Sequence, residues 1–71
     1  MFKIYEIEDG KHINDKKFKK EFMTKEEAKN FCYEERKRRV YNNWDNFFNG
    51  VPFEKLPTWV IEKDNEVLTL I

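Results

Sequence analysis

One cysteine, one histidine, two glycines and two prolines are all that the 71 residues hold of those types. No apolar run approaches the ~20 residues needed to cross a bilayer. Each shortage closes a route. Cys32 has no second cysteine to pair with inside the chain, so no disulfide framework stabilises it, and it reads as a small buried hydrophobe in a reducing cytoplasm. His12 and Cys32 together fall short of a zinc set, and no further ligand follows at a recognisable spacing. With glycine only at positions 10 and 50, no glycine-rich loop cradles a phosphate. The start, MFKIYEIEDG, lacks the charged and apolar regions of a signal peptide. A cytoplasmic, non-enzymatic protein without metal or cofactor is the expectation.

Excess charge is missing as well. Fourteen basic and fourteen acidic residues give a formal net charge of zero, which argues against both a general polyanion binder and an acidic mimic of DNA. What the chain does have is 39% charged and 17% aromatic residues. Despite a mean hydropathy of −0.94, local alternation of sign and abundant rings point to a folded chain. Residues 1–71 form one domain. A core this small seldom supplies more than about 3–5 kcal/mol, so extra packing or oligomerisation has to add to it.

FKIYEIE (Phe2 to Glu8) is rich in β-branched and aromatic residues and reads as a strand ended by Asp9-Gly10. Whether that pair makes a tight hairpin or opens a longer loop stays open. KKFKKEF gives a second strand, with Phe18 and Phe22 expected on one face and lysines on the other. Thr24 with Glu27 forms a capping box ahead of a long helix that stops at Asn49-Gly50, before Pro52. The last element, TWVIEKDNEVLTLI, folds about Asp64-Asn65. A simple two-residue turn places Ile61 opposite Leu68 and Trp59 opposite Leu70 as the core face, with Val60, Glu62, Val67, Thr69 and Ile71 on the other. The class is α+β: a two-layer ββαββ domain with a mainly antiparallel four-stranded sheet and one long helix.

That helix changes its apolar side. At 100° per residue, Ala28, Phe31 and Cys32 cluster together, while Tyr33, Val40, Trp44 and Phe47, with Phe48 at the edge, cluster roughly 150° away. EERKRR separates the halves. A helix from Lys25 to Asn49 runs about 37 Å, against roughly 29 Å for the diameter of a compact chain of this size and about 20 Å for a six-residue strand. Three outcomes stay open: a break near Asn42-Asn43, a loop VPFEKLP that lays Phe53 and Leu56 over Trp44 and Phe47, or an interface with another protein. In the third, Val40, Trp44, Phe47 and Phe48 are the anchors and Tyr33, Lys37 and Tyr41 the rim, and the partner is a second copy or a host protein.

A second class of partner, nucleic acid, rests on two basic clusters: Lys16, Lys17, Lys19 and Lys20 around Phe18, and Arg36, Arg38 and Arg39 with Lys37. Lysines flanking a ring on a strand can grip phosphate and stack a base. They can equally guard a sheet edge. In the helix, Glu34 and Glu35 stand four residues before Arg38 and Arg39, the favourable order for ion pairs along one face.

The stretch DGKHINDKKFKKEFMTKEEAKNF, a strand followed by F-x-T-K-E-E-A and a helix, resembles the junction in the small arm-DNA-binding domains of phage integrases, which read DNA with a three-stranded sheet. It covers about a third of the chain. The hairpin after the helix, the want of a third early strand and the zero net charge depart from that pattern, so no DNA-contacting residue carries over. In its preference for Lys over Arg and its wealth of Asn, Ile and Phe, the chain also resembles the short accessory proteins of phages and prophages of low-GC bacteria. Many of those inhibit a host or defence protein by binding it, which implies a regulator or inhibitor of that kind.

Overall fold

Asp64 and Asn65 both take left-handed backbone angles, φ 53° and 64°, the signature of a type I′ turn, whose twist matches the strands it joins. The computed structural model describes residues 1–71. In chain order the elements are β1 (Phe2–Ile7), a 3-10 turn (Ile13–Asp15), β2 (Lys17–Phe22), α1 (Lys25–Phe48), β3 (Thr58–Lys63) and β4 (Glu66–Leu70). The strands form one antiparallel sheet in the order β2-β1-β3-β4. This is the expected ββαββ, α+β architecture. Asp9-Gly10 opens the longer connection: Gly10, at φ 82°, completes a turn closed by the Lys11 amide on the Glu8 carbonyl, and the 3-10 turn follows before β2.

The core lies between the sheet and the first half of α1. Ile4, Trp59 and Ile61 of the two central strands meet Ala28 and Cys32 of the helix, all fully or almost fully buried, with Phe2, Phe22, Phe31 and Ile71 around them. Phe22 and Phe31 pack at 5.5 Å between ring centroids. Thr24 starts α1, its hydroxyl oxygen accepting the Glu27 amide at 3.2 Å. Glu27 reaches back to the Thr24 hydroxyl, which donates to its carboxylate at 2.9 Å.

Two bulges revise the expected registers. In β2 the pairing runs Ile4 with Lys20 and then Tyr5 with Phe18, skipping Lys19. One extra residue reverses the faces beyond it. Phe18 therefore does not share a face with Phe22: it packs edge-on against Tyr5 on the side away from the helix, ring centroids 5.7 Å apart. In β4, Glu62 pairs with Val67 but Ile61 pairs with Thr69, and Trp59 and Ile71 exchange both backbone hydrogen bonds at 2.9 and 2.8 Å. Leu68 is the extra residue. The core positions of β4 are consequently Thr69 and Ile71, whereas Leu68 and Leu70, expected inside, are exposed.

Nor is Val60 a solvent-facing residue. It is fully buried beside Tyr5 on the second face of the sheet, where Lys16 stands over the Tyr5 ring and pairs with the buried Glu62 carboxylate. Lys16 thus closes that face with its stem and its charge together.

Candidate functional site

Helix α1 is continuous over 24 residues, about 36 Å at 1.5 Å per residue. No break occurs at Asn42-Asn43. The molecule is elongated, 43 × 24 × 15 Å with a radius of gyration of 13.3 Å, rather than the near-spherical body of about 11 Å that a compact chain of this length has. The cause is the helix, which outruns the six-residue strands beneath it.

Arg39, the fifteenth of the 24 helical residues, ties α1 to the sheet. Its guanidinium donates to the Glu6 carboxylate at 3.2 Å, and Lys19 reaches the same carboxylate at 3.5 Å from β2. Two cations on one nearly buried carboxylate tie three elements together. The expected pairing of Arg39 back along its own helix does not form for that reason. Arg38 does turn to Glu35, at 2.5 Å, one residue closer than the four-residue spacing read from the sequence.

Beyond Arg39 the helix carries rings. Trp44 meets Phe47 edge-on at 5.9 Å and lies 6.2 Å from Phe48. A fourth ring comes from the loop after the helix: Phe53 meets Trp44 edge-on at 4.9 Å and stacks on Phe47 at 5.0 Å. Asn43 fixes the loop by a double hydrogen bond to Glu54, its amide donating to the Glu54 carbonyl at 2.9 Å and its oxygen accepting the Glu54 amide at 3.2 Å. The wrapped loop is therefore real for Phe53, while Leu56 lines a shallow hollow with Arg39, Asn42, Asn43 and Asn46.

Wrapping does not bury the cluster. Trp44 remains 51% exposed, Phe47 50%, Phe53 46% and Phe48 80%. Tyr33, Val40 and Tyr41 are exposed on the same side of the helix, as is Lys37. All seven residues named from the sequence thus share one open surface, roughly opposite Ala28 and Cys32. Phe53 and Val51 complete it. The sequence names Phe53 among the covers for Trp44 and Phe47; the loop path that brings it there shows only in the Asn43–Glu54 bonds, and Val51 has no signal in the sequence.

The basic clusters are placed differently. Lys16 is engaged by Glu62 and Tyr5, Lys17 by Glu8 at 3.4 Å, Lys19 by Glu6, and Lys20 lies over the rings of Phe22 and Phe31 at 5.1 and 5.8 Å. Phe18 is covered on one side by Tyr5. Arg38 and Arg39 are ion-paired, leaving Arg36 and Lys37 as the members of the helical run without an ion pair in the chain. β2 is an edge strand, so its lysines also do what edge lysines do, which is to discourage pairing with another strand.

His12 sits exposed at the start of the 3-10 turn while Cys32 is buried on the sheet-facing side of α1. Burial, and secondarily the Glu35 carboxylate, push the Cys32 thiol up to about 11, which suits packing and not nucleophilic work. No group of three or more His, Cys, Asp or Glu side chains gathers as a metal set, and no helix is long and apolar enough to cross a membrane. The comparisons with known proteins give no match among family models, curated proteins or solved structures.

Proposed function

We propose that this chain is a non-enzymatic protein-interaction protein that works as a homodimer joined through the outer face of the late helix. One observation carries the reading: four aromatic rings pack on one another at the unsupported end of a continuous helix, yet each keeps about half or more of its surface in water. Rings of that size bury 150–250 Å² each when covered, so the open portions of Tyr33, Tyr41, Trp44, Phe47, Phe48 and Phe53 with the two nearby valines come to roughly 700–900 Å². A standard interface takes about 800 Å² from each partner. The patch matches a whole interface, not a stray exposed residue.

A second copy fits this surface. Two-fold contacts are the commonest way for a small chain to cover such a patch, and a formal net charge of zero sets up no overall repulsion between copies. The dimer also supplies the added burial that a core of this size needs. In the cytoplasm such a dimer is the working unit of a small regulator or inhibitor of the mobile-element kind.

Light scattering on the purified chain tests this. The expected mass is twice 8.8 kDa at ~100 µM, falling to the single-chain value for Phe48→Asp with an unchanged circular dichroism spectrum. Phe48 is 80% exposed, so the fold does not depend on it. A wild-type chain that stays monomeric at that concentration defeats the proposal. The nucleic-acid alternative requires affinity that drops steeply with salt; the engagement of Lys16, Lys17, Lys19 and Lys20 within the chain weighs against it, and binding to short duplex or single-stranded DNA or RNA at ~50 mM salt would revive it.

A further inference from the structure

Tyr33, Lys37, Val40, Trp44 and Phe47 of α1 follow one another at alternating intervals of four and three residues, the spacing of a seam along which two helices interlock. On the wheel these positions fall within about 80° of one another, on the face turned away from the sheet. The seam begins above the core and runs past the end of the sheet, so a second helix can lie along it without meeting β1–β4.

We infer that the two copies pair with their α1 helices antiparallel, Val40 of one level with the partner's Trp44 and the two-fold axis passing at the level of Asn42. This deepens the dimer reading and rests on it. Charge decides the direction. Lys37 occupies a seam position and Arg36 its flank, and neither forms an ion pair inside the chain. A parallel pair sets Lys37 against the partner's Lys37 with Arg36 alongside, stacking cations in the seam. The antiparallel pair sets Lys37 level with the partner's Phe47 and beside the partner's Phe48 ring. A cation against a ring is attracted by it. Tyr41 of each copy meets its counterpart near the axis, and the two sheets are carried to opposite ends of the pair.

The structure thereby gives Lys37 a task. In the single chain it is an exposed lysine in a row of rings; in the antiparallel pair it sets the direction of assembly, because it tolerates a ring opposite it and not another lysine.

Spin labels on Glu26→Cys test the geometry. Glu26 lies in the first turn of α1, off the overlap, and the native thiol is buried, so labelling goes to the new cysteine. Antiparallel pairing sets the two labels about 50 Å apart along the axis, from sixteen residues either side of the two-fold at 1.5 Å each. A parallel pair sets them about 10–20 Å apart, across one helix-to-helix spacing and the label tethers. Lys37→Leu gives a second readout: it removes the cation that opposes the parallel pair and is expected to add a short-distance population to the label distribution. A Glu26→Cys dimer with a short label distance, or a Lys37→Leu variant whose distances do not change, overturns the antiparallel assignment by charge and leaves the dimer standing. A monomer at ~100 µM overturns both.

Discussion

Phe53 stacks on Phe47 with ring centroids 5.0 Å apart and planes 13° from parallel, although one belongs to a loop and the other to a helix end that the sheet does not reach. This contact gives the chain a second, smaller cluster beside its core. It also explains how an overhanging helix stays ordered: the Asn43–Glu54 hydrogen bonds pin the loop, and the loop supplies a ring to the helix.

Removing the ring separates the two clusters experimentally. Trp44 is 51% exposed in the outer cluster and Trp59 1% in the core, so acrylamide quenches one and spares the other in chain diluted until it is monomeric. Phe53→Ala should make Trp44 more quenchable, leave Trp59 unchanged and cost about 1 kcal/mol, the scale of a half-exposed aromatic contact. Equal effects on both tryptophans would mean that the outer cluster and the core are one unit.

Arg39→Met should cost about 1–2 kcal/mol in urea unfolding. Glu6 keeps only Lys19 in a nearly buried position, and a carboxylate stripped of a partner there loses a charge-assisted hydrogen bond. Arg39 itself is 38% exposed, so solvent screening keeps the figure below that of a sealed ion pair. Arg36→Met, whose side chain is exposed and lacks an ion pair in the chain, should stay within about 0.5 kcal/mol.

The architecture and the change of apolar side were legible in the sequence because both follow from one-dimensional patterns: strand composition around Ile4 and Ile61, the Thr24 cap, and the rotation from the Ala28–Cys32 side to the Trp44–Phe47 side; that α1 runs unbroken through Asn42-Asn43 was left open. Registers were not. A bulge at Lys19 or Leu68 leaves no mark in composition, since the alternation on either side is intact and only the partner strand shows that one residue is skipped. Arg39 was equally hidden. Its own helix offered Glu35 at the favourable spacing, and only the packing of α1 on β1 brings Glu6 nearer. Phe53 was visible as a candidate cover for Trp44, but the Asn43 bonds that hold it depend on a loop path the sequence does not specify.

Cys32 provides a pH prediction. Its thiol is raised from 9.0 to about 11, first by burial and then by the Glu35 carboxylate, so the folded chain holds this proton more tightly than the unfolded one. Stability from this source is complete below about pH 9 and is lost as pH rises towards 11, by roughly 2–3 kcal/mol in all. At pH 8 the folded thiol should react with a soluble disulfide reagent about a hundredfold more slowly than in denaturant, in keeping with its smaller thiolate fraction. Glu35→Gln should lower the thiol pKa slightly. A drop that removes more than half of the rise from 9.0 would make the carboxylate the larger of the two causes.

Gly50 closes the helix that carries the rings. It sits at φ 85°, its amide donating to the Phe47 carbonyl at 3.0 Å and that of Val51 to the Asn46 carbonyl at 2.8 Å, the pair of reversed bonds that ends a helix on a left-handed glycine. A Cβ there meets nothing within 4 Å, so Gly50→Ala adds no clash and isolates the backbone term, roughly 1–2 kcal/mol for an L-residue held left-handed. Asn tolerates that conformation better, and Gly50→Asn should cost less than half as much. The strain falls on the turn holding Phe47 and Phe48. Dimer dissociation should therefore become easier in the order wild type, Gly50→Asn, Gly50→Ala, as read by light scattering across a dilution series. If Gly50→Ala lowers thermal stability but leaves the dissociation constant unmoved, the last turn of the helix lies outside the interface and the surface must be redrawn around Val40 and Trp44.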